Sequence, residues 1–201
     1  MRQISYSTLE KRFQSQAGLA SLDSTDKFFF KNNLNSRARE AWGRADWPEL
    51  VSIASLPLSD TAQGVKSTSA NSFDVLDVYD KHPYSERNAR KLTYLILEGR
   101  VVMNSNYPGD TIHVLKKSEF VEYNEDSTNI PAFLENYLTS AILSDFFRGD
   151  GQHDVASREN SRAENFLLLE MEKAEKHQNQ NRFTVTNYNN LNQQPIIYQT
   201  T

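Results

Sequence analysis

The sequence predicts an α+β fold that is mainly α: a helical bundle with a small inserted antiparallel β-sheet and an extended C-terminal arm. Three observations carry this expectation. Apolar residues recur at helical spacing towards both ends of the chain, the period becomes extended between residues 73 and 117, and residues 181–201 lose nearly all charge. The segments expected are 1–64 (N-terminal bundle helices and a connecting strand), 65–128 (the β insertion), 129–180 (C-terminal bundle helices) and 181–201 (the arm).

Ser7-Thr8-Leu9-Glu10 has capping-box spacing, and Leu9, Phe13 and Ala17 follow on one helical face, with Gly18 to stop the helix. A second helix is expected from about Ser24, with Asp26 in its positive first turn. Its stripe is Phe30, Leu34, Ala38, Ala41 and Trp42, while Lys31, Arg37, Arg39 and Glu40 face elsewhere. Gly43 is expected to break this helix. Pro48 biases Trp47 away from helical angles, so the chain turns there. Trp42 and Trp47 are expected to pack together, with Phe30 or the Leu134/Tyr137 face, and to close one end of the bundle. Residues 50–64 read as one short strand and a loop.

Four short strands are expected over about Phe73–Lys117. Glu98-Gly99 suits a two-residue hairpin turn, and Tyr107-Pro108-Gly109-Asp110 has the type II order. Helical period returns at Ile130, Phe133, Leu134, Tyr137, Leu138, Ala141 and Ile142, with Thr139, Ser140 and Ser144 on the polar side. A last helix is expected over about Asp154–Gln178, with the stripe Ala163, Leu167, Met171 and Ala174 widened by Phe166 and Leu168. Asn181–Thr201 carries one charge yet spaces out Phe183, Val185, Tyr188, Leu191, Ile196, Ile197 and Tyr198. A solvated linker has little use for such side chains, so this segment reads as an arm that buries them on another subunit or a partner.

The chain is 38% hydrophobic, low for a compact globule, which again suggests apolar groups buried elsewhere. With no cysteine, disulfides, zinc–thiolate sites and thiol catalysis are excluded. The formal net charge of −4 gives no overall pull towards DNA or anionic lipid. No signal core and no apolar run of the roughly 20 residues that span a bilayer is read, so a soluble protein made in the cytoplasm is expected. The histidines His82, His113, His153 and His177 lack metal-ligand spacing. Arg148–Asp154 lacks the alternating carboxylates of a calcium loop. No phosphate loop and no nucleophile elbow is present. Neither catalytic residues, metal ligands nor a cofactor site are expected. The competing readings are a carboxylate-dependent metal enzyme such as a nuclease, and a regulator that binds nucleic acid or a partner. The one basic cluster, Arg87–Lys91, is offset by Glu86 and Glu98.

The stretch "FFFKNNLNSRAREAWGRADWPEL", following a capped short helix, resembles the opening of head-to-tail adaptor (connector) proteins of tailed double-stranded DNA phages, the tail-tubular-protein-A-like adaptors of short-tailed phages among them. The matching residues are Asn35, Arg37, Arg39, Trp42 and Trp47-Pro48-Glu49-Leu50. "IPAFLENYLTSAILSDFFRGDGQ" and "AENFLLLEMEKAEKHQNQ" resemble the family's two C-terminal bundle helices. The resemblance implies a structural protein of the virion, made in the host cytoplasm. It implies a homo-oligomeric ring, commonly a dodecamer, between the portal protein and a tail nozzle or tube protein, with DNA passing through its channel. It supplies no catalytic residues. Within such a ring, neighbours are expected to meet through Arg158, Arg162, Glu164, Glu172, Lys173 and Glu175. The arm side chains Phe183, Val185, Tyr188, Leu191, Ile196, Ile197 and Tyr198 would reach the portal or a neighbouring subunit.

Overall fold

Clustering of contacts divides the chain into a helical unit, Met1–Glu49 with Phe120–Lys176, and a β unit built on Leu50–Glu119. The computed structural model describes residues 2–60, 65–68, 75–86, 88–103 and 107–189, with side chains of the last helix to residue 176.

The helical unit starts with a two-residue strand, β1 (Gln3–Ile4), paired antiparallel with β8 (Ile130–Pro131). Helix α1 is Tyr6–Ala17. Its N-cap is Ser5, whose Oγ accepts from the Thr8 N–H at 3.2 Å, two residues earlier than the sequence spacing suggested. Gly18 ends it at φ 72°, in the left-handed region that favours glycine. Helix α2 is Ser24–Arg44, closed at its start by a reciprocal box between Asp23 and Asp26. It runs through Gly43, so the expected break there is absent: one glycine weakens a helix without ending it. Ala45, extended at φ −151°, ends it instead.

Helix α3 (Glu135–Gly149) is the centre of this unit. Eight consecutive residues, Tyr137–Ser144, are buried, so Thr139, Ser140 and Ser144 are interior and not on a polar face. Two of them satisfy their hydroxyls on helix carbonyls: Thr139 donates to Glu135 O and Ser144 to Ala156 O, both at 2.8 Å. Aromatic rings fill the space between α1, α2 and α3. Phe30 meets Tyr6 edge-on at 5.2 Å and Phe13 at 5.3 Å, and Phe13 meets Phe146 at 5.5 Å. Helix α4 spans His153–Asn189 and buries Ala156, Ala163, Leu167 and Ala174.

The β unit overturns the expected fold class. In place of a small insertion it is a six-stranded antiparallel sheet, nearly closed into a barrel, so the fold is not a mainly helical bundle. Its strands are β2 (Val51–Asp60), β3 (Lys66–Thr68), β4 (Val75–Tyr79), β5 (Tyr94–Leu97), β6 (Arg100–Met103) and β7 (Thr111–Lys117), in the order β4-β7-β2-β3-β6-β5. Segment 50–64, expected to give one short strand and a loop, supplies the longest strand. β2 pairs with β7 from Val51↔Lys117 to Pro57↔Thr111 and with β3 from Leu58↔Thr68 to Asp60↔Lys66. Pro57 hid this strand, because a proline inside an apolar run argues against ladder pairing. Just past it the ladder resumes, with the Leu58 N–H donating to Asp110 O at 2.8 Å.

Closure comes from the residues that lead into β5. Lys91 bridges to Tyr79, the Leu92 N–H donates to Val78 O, and the Asp80 N–H donates to Arg90 O. The expected basic cluster is thus partly a piece of sheet. The interior holds Val78, Val101, Met103, Ile112 and Val114, flanked by Leu56, Leu58, Val75, Leu92, Tyr94 and Tyr107. Glu98 and Gly99 both have positive φ, 51° and 74°, as the hairpin turn requires. Gly109 does not have positive φ. A Cβ there would lie 2.6 Å from the Tyr107 hydroxyl, so any larger residue would have to displace that ring.

The expected extended arm is corrected in part. The backbone of 181–189, including Phe183, Val185 and Tyr188, continues α4 as helix. Leu191, Ile196, Ile197 and Tyr198 lie outside the described residues.

Candidate assembly surface

The residues that carry the phage-adaptor resemblance lie in the helical unit, except Leu50, which begins the β unit. Asn35 is buried on α2 and fastens the 120–124 segment: its Nδ2 donates to Tyr123 O at 3.0 Å, and its Oδ1 accepts from the Tyr123 N–H at 2.7 Å. Arg37 forks onto Asp145 of α3, Nε to Oδ2 at 2.8 Å and Nη2 to Oδ1 at 2.5 Å, while its Nη1 reaches Glu40 at 3.0 Å. Arg44 holds the other Glu40 oxygen at 2.7 Å and lies 3.6 Å from Glu164 on α4. Three helices are therefore joined by one ionic chain. Arg39 stacks over the Phe120 ring at 5.3 Å and meets Glu122 at 2.8 Å.

The tryptophans separate. Trp47 is 1% exposed, packs on Phe133 at 4.9 Å, and donates Nε1–H to Ala41 O at 2.9 Å. Trp42 is half-buried and meets Phe120 edge-on at 5.5 Å. The expected Trp42–Trp47 pair is thus not formed. Helix α2 extends one residue past Gly43, and the turn at 45–47 sends the second indole back beneath the helix end.

The ionic chain sets the local protonation. Hydrogen bonding to Arg44, and then Arg37, holds the Glu40 carboxyl below its ordinary value, while burial opposes this. Arg37 is raised further above its already high value, chiefly by its hydrogen bonds to Asp145. In the matched stretch Arg37 thus ties α2 to α3, while Asn35, Arg39 and Trp42 hold the 120–124 segment. We expect Arg37→Ala to cost about 2–3 kcal/mol by leaving Asp145 half-buried without its partner. The double change Arg37→Met with Asp145→Leu should recover part of that loss in urea denaturation. A single substitution that leaves the midpoint unchanged would refute the pairing.

No three His, Asp or Glu side chains converge on a possible metal site among the described residues. In the β unit His82 and His113, which the sequence leaves apart, have ring centroids 5.8 Å apart, and Ser55 Oγ lies 3.0 Å from His113 Nδ1. Among the described residues no carboxylate joins them to complete a ligand set.

The expected subunit-contact residues lie on α4 but serve different partners. Glu164 is turned towards Arg44 of its own chain. Lys173 pairs with Glu170 at 2.6 Å, and Arg162 lies 3.6 Å from Glu159 and 5.6 Å from the Phe166 ring. Arg158, Glu172 and Glu175 are exposed. Between them lie one residue the sequence misread and one it did not assign. Leu168, expected in the core stripe, is 53% exposed, and Leu169 is 54% exposed. They flank the helix face opposite Ala163, Leu167 and Ala174. Three consecutive leucines cannot all face inward at 100° per residue, and that spacing was the available signal.

No protein-family model matches the chain, and no curated protein does.

Proposed function

We propose that this chain is a structural adaptor of a tailed phage, forming a ring between the portal and the tail with DNA passing through. The reading starts from the resemblance carried by Asn35, Arg37, Arg39, Trp42 and Trp47-Pro48-Glu49-Leu50. The observation that carries it is how the side chains are used. The matched polar residues are engaged within the chain, Arg37 with α3 and Asn35 and Arg39 with the 120–124 segment, while large apolar groups remain outside. Leu168 and Leu169 stand exposed on α4, and Leu95, Ile96 and Leu97 on β5, at 64%, 47% and 55% exposure. Exposed apolar groups at two separate places suit a subunit with more than one neighbour.

The test is the mass of the protein alone and with portal rings of its own particle. Recruitment in a fixed multiple per portal supports the reading, and absence of any association removes it. Leu168→Asp combined with Leu169→Asp should leave the melting temperature of the subunit within a few degrees, because both are exposed. The same variant should fail to form the ring. Ring formation by that variant at the wild-type concentration would exclude the α4 face as the lateral contact.

A further inference from the structure

Strand β5 is an edge with unusual chemistry. Among the described residues, Leu95–Leu97 pair only with β6: Leu95↔Val102, Ile96↔Val101 and Leu97↔Arg100. Closure of the barrel stops before them, at Arg90–Leu92. The Val101 N–H donates to Thr68 Oγ1 on β3, away from β5. Antiparallel pairing alternates, so Ile96, opposite Val101, likewise turns its N–H and C=O away from β6, towards the open edge. Leu95 and Leu97 are exposed on the outer face, and Ile96 is half-exposed on the face that leads inward to Val101 and Met103. Edge strands are ordinarily blunted by charge, proline or a bulge. Tyr94–Leu97 has none of these.

We infer that β5 receives the segment Ile196–Thr201 of a second copy of this chain as an added antiparallel strand. Three features of the sequence single out this occupant. Residues 183–201 contain no charged side chain, so nothing charged would be buried against Leu95–Leu97. Ile196-Ile197-Tyr198-Gln199-Thr200-Thr201 is rich in β-branched and aromatic residues, which suit a pleated surface. Pro195 cannot donate to a ladder, so it fixes where pairing begins. In strand geometry Ile196 and Tyr198 share one face and Ile197 takes the other, matching an acceptor that is apolar on both sides. Leu95, Ile96 and Leu97 stay exposed in the single chain, which leaves them open to a second copy. The inference needs only two copies and holds whether or not the adaptor reading does.

Because the chain has no cysteine, introduced thiols report without background. Full-length Leu97→Cys protein is mixed with full-length Tyr198→Cys protein and cross-linked with a short bismaleimide. The expected product is a dimer containing one of each. Adding Leu95→Lys to the acceptor should lower its yield at least tenfold while the melting curve stays unchanged. Ile96→Pro, which removes the outward N–H, should do the same. An absent heterodimer, or a yield unaffected by both changes, overturns the inference. So does efficient cross-linking within single chains carrying both cysteines at dilution, since the segment would then serve its own copy.

Discussion

Trp47→Ala should lower the stability of the chain by about 3–5 kcal/mol, whereas Trp42→Ala should cost only about 1–2 kcal/mol. The two indoles lie five residues apart, yet their surroundings differ. Trp47 is almost wholly buried, with its ring against Phe133. Its Nε1–H also serves Ala41 O, near the end of α2 where helix carbonyls run out of partners. Alanine would open a cavity and withdraw that donor together. Trp42 meets Phe120 edge-on and keeps part of its surface in water. Urea denaturation of both variants decides the matter. Equal losses, or a greater loss for Trp42, would contradict the packing described.

The second large effect is alkaline. Tyr6, Tyr123 and Tyr137 are all pushed up to about 12, in each case first by burial; the negative charges of Glu10 and Glu125 add to this at Tyr6, and Glu40 and Glu164 add to it at Tyr137. A phenol whose pKa is raised on folding keeps its full stabilisation below pH 10, its ordinary value, and loses it as pH climbs through 12. Two pH units correspond to about 2–3 kcal/mol for each such tyrosine. The helical unit should therefore hold to about pH 10 and unfold before pH 12. A titration following tyrosinate absorbance and helical circular dichroism together would show it. The last tyrosines of the nine should ionise only as helix is lost. Ionisation of all nine near pH 10 with helix intact would place these three hydroxyls in water.

The sequence was most legible where local chemistry and packing agree. Gly18, Asp26, the Glu98-Gly99 turn and the stripe Phe30–Leu34–Ala38–Ala41 all stand where their residue types suggest. It misled where long-range pairing decides. β2 reads poorly because Pro57 interrupts it and serines dilute its alternation, yet two neighbouring strands fix it. Thr139, Ser140 and Ser144 look like a solvent face until α3 is seen to be surrounded. Arg37 looks like a surface charge, and only the fold brings Asp145, 108 positions later, within reach. The same limit applied to the assembly surface. Charged residues on α4 are visible in the sequence, and three consecutive leucines signal that some face out, but which ones are exposed, and the open edge of β5, emerge only once burial is known.

The most direct test of the proposal is a cryo-electron microscopy map of the head–tail junction in particles that carry this chain. The proposal predicts a ring of copies between portal and tail, each with the four helices and the six-stranded sheet, with Leu168 and Leu169 covered by a neighbour. Purified particles whose junction holds no such ring would contradict it.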